Sequence, residues 1–126
     1  GITYVFMGDT IGGRPKDLSC YDREGKVDYE IVKSKDFFQH GITRVITACK
    51  KNYNVVLMCS ESKPCDCHRS KLIGRVLSSK DISIKHIDEN GKLKDQTTVI
   101  NELINGLPEF DLFGNPSLST SRKTYL

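Results

Sequence analysis

The stretch Asn-Val-Val-Leu-Met-Cys at residues 54–59 decides the fold that this sequence predicts. It is the most apolar run of the chain, and Asn54 and Ser60 bound it. A short, continuous apolar run with polar boundaries is typical of a strand that is buried on both faces, as in a parallel sheet. We therefore predict a buried strand over residues 54–59.

The residues that follow this strand predict a helix and a second strand. A polar loop containing Pro64 leads to residues 66–79, where apolar side chains recur at helical spacing. Ile82 and Ile84 then alternate with polar residues, as in a strand over 82–88. Strand, crossover helix and strand together form a right-handed βαβ unit. The predicted fold class is therefore α/β with a mainly parallel sheet.

Two flanking helices and a tail complete the predicted organisation. Apolar residues at helical spacing predict a helix of about 36–51, and Asp95 is a suitable N-cap for a helix of about 95–106. We expect residues 1–106 to form the α/β domain. Residues 107–126 show no apolar period and contain prolines and a Ser-Thr cluster, so we expect an extended or mobile tail.

Glycine and proline mark two turns. Residues 12–15, Gly-Gly-Arg-Pro, force a turn that holds Arg14 as a candidate contact for an anion. The polar stretch 16–33 that follows lacks a sustained period and predicts a long loop. Asn90-Gly91 is a strong signal for a small hairpin.

The composition excludes several classes of protein. The chain has 126 residues and a mass of 14.2 kDa, enough for one domain, and its net charge of +3 is too small to indicate nucleic-acid binding by itself. Five cysteines are too few for a secreted disulfide scaffold, and no apolar run is long enough for a membrane helix. No signal-peptide pattern opens the sequence. We expect a cytoplasmic protein with reduced thiols that does not bind a membrane.

Chemistry-bearing residues concentrate between Cys59 and Ser70, where the predicted strand leads into the predicted helix. Ligands collect at the carboxyl ends of strands in α/β sheets, and a helix amino terminus there favours an anion and a thiolate. Cys67 or Cys59 offers a thiolate, His68 titrates near neutral pH, and Arg69 carries a fork of donors.

Four interpretations of this segment remain open. In the first, Cys59 or Cys67 is a nucleophile, with His68 as base and Arg69 holding an oxyanion or phosphate, although the spacing differs from that of thiol phosphatases. In the second, the three cysteines of the segment, Cys65 included, bind zinc with His68, although adjacent ligands are unusual in structural zinc sites. In the third, the residues have structural roles. In the fourth, they form an anion pocket without covalent chemistry.

Outside this segment, structural interpretations are favoured. His86 is expected to be a hydrogen-bonded structural histidine rather than a ligand. Lys71 and Arg75 are expected on the solvated face of the helix 66–79. With Arg69 and Lys80 they could form a basic stripe for nucleic acid, but no aromatic residue interleaves with these charges.

Several of these motifs together resemble one known family. They are Tyr4, the turn at 8–15, residues 56–61, Pro64, residues 67–70 and 72–73, His86-Ile87 and Gly91. The set resembles the bacterial and archaeal family catalogued as domain of unknown function 488, from Tyr4 to about Asn105. Its most specific part is the Cys-x-Glu…Cys-His-Arg arrangement. Family members usually begin with a further strand-helix-strand-helix segment, so this chain looks like the later part of a larger domain, and we expect it to self-associate.

The resemblance implies an α/β fold and a set of site residues, but no settled activity. We predict catalytic roles for Cys59, Glu61, Cys67, His68 and Arg69. The predicted ligand-binding residues are Gly13, Arg14, Ser60 and Ser70. No cofactor and no metal ion are predicted.

The leading functional hypothesis is an enzyme-like site for a small anionic or phosphate-bearing ligand, with cysteine chemistry. The alternative is a binding module for nucleic acid or protein in which the motif is structural. Whether the chain is an enzyme is left open at this point.

Overall fold

The computed structural model describes residues 1–104, 112–113 and 120–122. Its α-helices are α1 (Gly8–Ile11), α2 (Tyr29–Ser34), α3 (Asp36–Lys50), α4 (Arg75–Ser79) and α5 (Gln96–Ile104). Two 3₁₀ helices cover Leu18–Cys20 and Pro64–Asp66, a π-helix covers Arg69–Gly74, and the strands are β1 (Lys85–Ile87) and β2 (Leu93–Asp95). The chain is therefore a mixed α/β structure in which helices dominate.

The sheet that the structure describes is a two-stranded antiparallel hairpin, and the predicted mainly parallel sheet is not supported. Residues of β1 and β2 pair with His86 opposite Lys94, and the predicted turn at Asn90-Gly91 joins the strands. Gly91 has φ +78°, which glycine adopts without strain. The Asp88 carboxylate accepts hydrogen bonds from the N–H groups of Asn90 and Lys92, so the turn is held from inside.

The predicted buried strand over 54–59 was wrong. This segment lies in neither a helix nor a strand, and its Val56 and Met58 side chains are 72% and 86% exposed. A buried strand requires a neighbour that pairs with its backbone groups. Within residues 1–104 no such neighbour pairs with this segment, so the βαβ unit predicted around it is also absent there.

The predicted helix 66–79 is replaced by three shorter helical pieces. The 3₁₀ turn at Pro64–Asp66 is separated from the π-helix Arg69–Gly74, which continues directly into α4. The side-chain amide of Gln96 donates to the carbonyl of Ser70 at 2.8 Å. A side chain that inserts into the backbone ladder in this way gives a physical reason for the widened turn.

The flanking helices are found close to where the apolar spacing predicts them. Helix α3 buries Phe38, Ile42 and Val45 along one face, and α5 starts directly after Asp95. The Asp95 carboxylate accepts the Thr98 N–H at 2.8 Å, which is an N-cap bond. The predicted end of the last helix, near 106, lies outside the described residues.

The predicted loop at 16–33 is helical in part. Asp28 caps α2 by accepting the N–H of Glu30 at 3.0 Å, and Tyr29 and Val32 of this helix are buried. Most of the tail predicted at 107–126 lies outside the described residues. The short piece 120–122 lies beside residues 27–28, just before α2, where the Ser121 N–H donates to the Val27 carbonyl at 2.9 Å.

The hydrophobic core lies between α1, α2 and α3 and the helical pieces at 69–79. Its buried members are Ile11, Cys20, Val27, Tyr29, Val32, Phe38, Ile42, Val45, Leu72, Ile73 and Leu77. Because Leu72, Ile73 and Leu77 belong to this core, it fixes residues 69–79 and with them the chain immediately before Arg69.

Two segments outside regular structure carry several exposed apolar side chains each. Ile2, Tyr4, Val5 and Phe6 form one group, and Tyr53, Val56 and Met58 form the other. Such side chains are the physical basis for the expected self-association, which stays a prediction. Among the described helices, none combines the length and the apolar character that crossing a membrane requires.

The carboxylate of Asp17 supplies a pH-dependent contact at the surface of this fold. Hydrogen bonds from Ser19 and from Lys35, whose Nζ lies 2.9 Å from Oδ2, lower the pKa of Asp17 from 3.8 to about 2. Because the folded pKa is below the unfolded one, the contribution to stability is present above about pH 4 and is lost as the pH falls towards 2. The group is exposed, so the effect on stability is small.

We expect the carboxyl carbon of Asp17 to titrate in NMR spectra with a midpoint near 2, because its hydrogen bonds favour the ionised form. In Ser19→Ala, the midpoint should move upward towards 3.8. A midpoint near 3.8 in the unsubstituted chain would contradict the geometry.

Candidate functional site

The chain between Cys59 and Cys67 folds back on itself, and a 3₁₀ turn produces the reversal. The Cys67 N–H donates to the Pro64 carbonyl at 3.2 Å. The Ser70 hydroxyl contacts the same carbonyl at 2.5 Å and the Cys67 carbonyl at 3.1 Å. These hydrogen bonds to the Pro64 and Cys67 carbonyls hold the chain reversal, and the Sγ atoms of Cys67 and Cys59 lie 3.2 Å apart as a result.

The Cys67 sulfur is buried among polar groups. The residue is 2% exposed, and its Sγ accepts the side-chain Nε–H of Arg69 at 3.1 Å and the backbone N–H of Arg69 at 3.4 Å. The Nδ1 atom of His68 lies 3.6 Å from the same sulfur. A guanidinium and an imidazole therefore both lie beside the Cys67 sulfur.

Cys59 is half-buried, and its sulfur is the more accessible of the pair. Its Sγ accepts the Glu61 N–H at 3.2 Å. Burial raises the pKa of the Cys59 thiol; the Glu61 N–H opposes this shift and the neighbouring Cys67 adds to it. Without a further partner, Cys59 is therefore protonated at neutral pH.

His68 lies between the Cys67 sulfur and the turn that contains Gly13. Burial lowers the pKa of the imidazole, a hydrogen bond to the Ile11 carbonyl opposes the shift, and the charges of Arg69 and Lys71 add to it. His68 is therefore neutral at pH 7, so a ring nitrogen can accept a proton or bind a metal ion.

Gly13 lies directly against this ring. A Cβ at Gly13 would lie 2.7 Å from Nδ1 of His68 and 3.1 Å from its Cε1, so the close approach requires glycine. Arg14, the next residue, is exposed. The predicted glycine turn is thus next to the cluster in space, although the sequence separates the two.

Arg69 makes its contacts within the loop. Its Nη2 donates to the Glu61 backbone carbonyl at 2.6 Å, while Nε donates to Cys67. Both hydrogen bonds fix the loop geometry that holds the two sulfurs together. The structure therefore assigns Arg69 to a thiol and a carbonyl, where the sequence predicted an anion, and Glu61 enters the site through its backbone.

The other predicted ligand residues are divided between surface and interior. Ser60 and Arg14 are exposed, whereas Ser70 is fully buried and uses its hydroxyl on two backbone carbonyls. Ser70 therefore shapes the loop, and its role in ligand binding stays a prediction. Cys65 points away from the two-sulfur cluster, with its Sγ 3.9 Å from Oδ1 of Asp66.

The predicted solvated face at Lys71 was wrong. Lys71 is 1% exposed, its Nζ donates to the Arg122 carbonyl at 2.7 Å and it lies 6.0 Å from the ring centroid of Tyr29. All five residues from Ser70 to Gly74 are buried, because other parts of the chain, among them Gln96 of α5 and Arg122, contact this helical piece. A basic stripe through Lys71 is therefore not formed.

Sequence reasoning missed the two residues that support the site-bearing helix from behind. Gln96 contacts both the Ser70 carbonyl and, at 2.5 Å, the Nε2 atom of His86. Gly74 makes room for the Gln96 side chain. The only sequence signal was His86, which was predicted to be a hydrogen-bonded structural histidine, and the buried contact with Gln96 fits that interpretation.

Three side chains of the cluster offer ligand atoms of the kind that metal sites use. The Sγ atoms of Cys59 and Cys67 and a ring nitrogen of His68 all lie within 4.8 Å of one another. Thiolate and imidazole are the ligands that zinc prefers in proteins. The same arrangement can also support thiol chemistry, with a neutral imidazole beside two sulfurs.

Comparison with known proteins tests the resemblance that the motifs predict. The family model described as a domain of unknown function, DUF488, matches residues 1–76. No curated protein and no solved structure matches the chain. The matched range is more than half of the chain and includes the glycine turn and the whole segment from Cys59 to Ser70. The chain therefore belongs to the DUF488 family.

Proposed function

We propose that this chain carries an enzyme-like site that binds a small anionic or phosphate-bearing molecule and acts on it through cysteine chemistry. One observation carries the proposal: Cys59, Cys67, His68 and Arg69 converge on one small cluster. The two sulfurs lie 3.2 Å apart, with a guanidinium and an imidazole beside the inner one. Burying polar and titratable side chains together costs free energy, and clusters of this kind are typical of functional sites.

The two sulfurs have different roles in this proposal. Cys59 is half-exposed, so it is the sulfur that a ligand reaches first. His68 is neutral, and its ring nitrogen within 4.8 Å of the Cys59 Sγ is positioned to accept the thiol proton. Cys67 is buried and its sulfur accepts the Nε–H of Arg69, so this residue stabilises the structure of the site.

The anion contact is assigned to Arg14 instead of Arg69. Arg69 already donates to the Cys67 sulfur and the Glu61 carbonyl. Arg14 is exposed and follows Gly13, which lies against the His68 ring. Arginine binds carboxylates and phosphates through paired donors. Ser60, the residue after Cys59, is exposed and offers a hydroxyl as a second contact for the anion.

A nucleic-acid or protein binding module was the alternative hypothesis. The basic stripe on which the nucleic-acid form depended includes Lys71, and the burial of that side chain removes it from the surface. The enzyme-like proposal therefore has the stronger support from the geometry.

The test is protection of Cys59 from alkylation by an anion. The metal-stripped full chain is treated with iodoacetamide at pH 7, at constant ionic strength, with phosphate or chloride, and each cysteine is quantified by mass spectrometry. We expect phosphate to slow the alkylation of Cys59 saturably, because a bound anion covers the sulfur. The half-buried Cys49 of α3 is the internal control and should not respond.

A pair of matched variants identifies the anion contact. Arg14→Gln should abolish the protection of Cys59, whereas Lys16→Gln, which removes an exposed positive charge two residues away, should preserve it. Equal alkylation rates in phosphate and chloride would contradict the proposal. Protection that is equally lost in both variants would show a general charge effect and would also contradict it.

A further inference from the structure

We propose that Cys59, Cys67 and His68 bind one zinc ion and leave its fourth coordination position open to an exogenous ligand. This inference goes beyond the proposed function, because zinc binding by these side chains does not depend on what the site acts on. It differs from the four-ligand zinc site considered from the sequence, since Cys65 points towards Asp66 and away from the cluster.

The distances between the ligand atoms suit a tetrahedral ion. With Zn–S near 2.3 Å and Zn–N near 2.0–2.1 Å, a sulfur and a nitrogen ligand are separated by about 3.6 Å and two sulfurs by about 3.8 Å. The Cys67 Sγ lies 3.6 Å from Nδ1 of His68, and the two Sγ atoms lie 3.2 Å apart. Metal binding therefore requires the sulfurs to separate by about 0.6 Å.

The chain around Cys59 can supply this movement. Residues 53–59 lie in neither a helix nor a strand, and Cys59 is half-exposed. Cys67, in contrast, is fixed by hydrogen bonds: its N–H donates to the Pro64 carbonyl, and the Ser70 hydroxyl contacts the Pro64 and Cys67 carbonyls. The inner sulfur and the imidazole are thus pre-positioned, and the outer sulfur closes onto the ion.

The surroundings of the three ligands also suit a metal ion. Two thiolates and a neutral imidazole balance the charge of a divalent cation. The Arg69 Nε–H donates to the Cys67 sulfur. A hydrogen bond to a ligating atom orients that ligand in a metal site.

The open position follows from the ligand count. Among the described residues, the cluster of His, Cys, Asp and Glu atoms at this place has three members. Structural zinc sites are closed by four protein ligands, whereas catalytic sites use three and keep one position for water or substrate. An ion here would supply a Lewis acid for the anionic ligand, at a place where Arg69 is already engaged by the loop.

The test uses cobalt as a spectroscopic substitute for zinc. The full chain is reduced, stripped of metal with a chelator and titrated with Co²⁺ in the absence of oxygen, and Zn²⁺ is then added. We expect a thiolate-to-cobalt charge-transfer absorption that saturates at one equivalent and disappears when zinc displaces the cobalt. Tetrahedral thiolate coordination is visible in the absorption spectrum of Co²⁺, whereas Zn²⁺ is spectroscopically silent.

Variants identify the ligands. Cys59→Ser and His68→Gln should each weaken cobalt binding by more than about tenfold, because removing even an outer hydrogen bond costs about 10–100-fold. Cys65→Ser is the matched control and should bind like the unsubstituted chain. Circular dichroism checks the fold of each variant, and Cys59, which is half-exposed, tests the proposal even if Cys67→Ser does not fold.

Three results would overturn the proposal: no charge-transfer absorption at stoichiometric cobalt, an absorption that survives both Cys59→Ser and His68→Gln, or an equal loss in Cys65→Ser. The outcome is separable from that of the proposed function. Phosphate protection of Cys59 in the metal-stripped chain without cobalt binding would leave the thiol function standing alone. Cobalt binding with no effect of phosphate on either experiment would leave the metal site standing alone.

Discussion

Replacing Phe38 by alanine is expected to lower the free energy of unfolding by about 3–5 kcal/mol. Phe38 is 0% exposed and belongs to the first turn of α3, where it packs into the core formed with α1 and α2. Truncation removes its apolar surface from the core and leaves a cavity that the surrounding helices can only partly fill. Since small domains have total stabilities of about 5–15 kcal/mol, the variant should be close to unfolding at room temperature.

The neighbouring phenylalanine provides the matched control for this prediction. Phe37 stands in the same helix but is half-buried and packs at the margin of the core. Phe37→Ala should therefore cost clearly less than Phe38→Ala in urea denaturation followed by far-UV circular dichroism. Equal losses in the two variants, or a loss below about 1 kcal/mol for Phe38→Ala, would show that the core is not centred on Phe38.

The apolar pattern predicts α3 and misplaces the segment 54–59 for the same physical reason. Periodic apolar spacing in residues 36–50 specifies a helix whose backbone groups pair within the element, so local information suffices. A strand pairs with another segment, and an apolar run such as 54–59 does not say which segment that is. Val56 and Met58, exposed here, show that apolar character predicts a preference for burial and does not supply the partner.

At the site, likewise, the sequence indicates which residues take part but not what each of them contacts. Residue types and spacing indicate Cys59, Cys67, His68 and Arg69 as candidates, and the structure places them within a few ångströms of one another. The role of Arg69 could not be predicted, because it depends on the reversal at Pro64 that aims the Glu61 carbonyl at the guanidinium. Contacts made by backbone groups leave little trace in residue identity.

A second large effect is expected at Gly74, where the last turn of the π-helix meets α5. A Cβ at Gly74 would overlap Oε1 of Gln96 and would lie 2.8 Å from Cδ of Gln96 and 2.9 Å from the Arg69 carbonyl oxygen. Gln96 cannot move away without losing its bonds to the Ser70 carbonyl and to His86. The close approach therefore requires a residue without a side chain.

Gly74→Ala is expected to lower the free energy of unfolding by about 2 kcal/mol. Overpacking costs about 1–3 kcal/mol and each lost hydrogen bond about 1 kcal/mol, while the better helix propensity of alanine returns about 1 kcal/mol. In an open helix the same substitution would stabilise the protein. The sign of the effect, measured by urea denaturation, therefore distinguishes the close contact from simple propensity.

A double-mutant cycle then tests whether Gln96 is the cause. Gln96→Ala alone should also be destabilising, because it leaves the buried His86 without this contact, but Gly74→Ala should cost much less in the Gln96→Ala background. A cost that is additive would place the strain at the Arg69 carbonyl instead. Helix α5 lies outside the residues 1–76 that match the family, so coupling would show that this part of the chain supports the helix that carries the site.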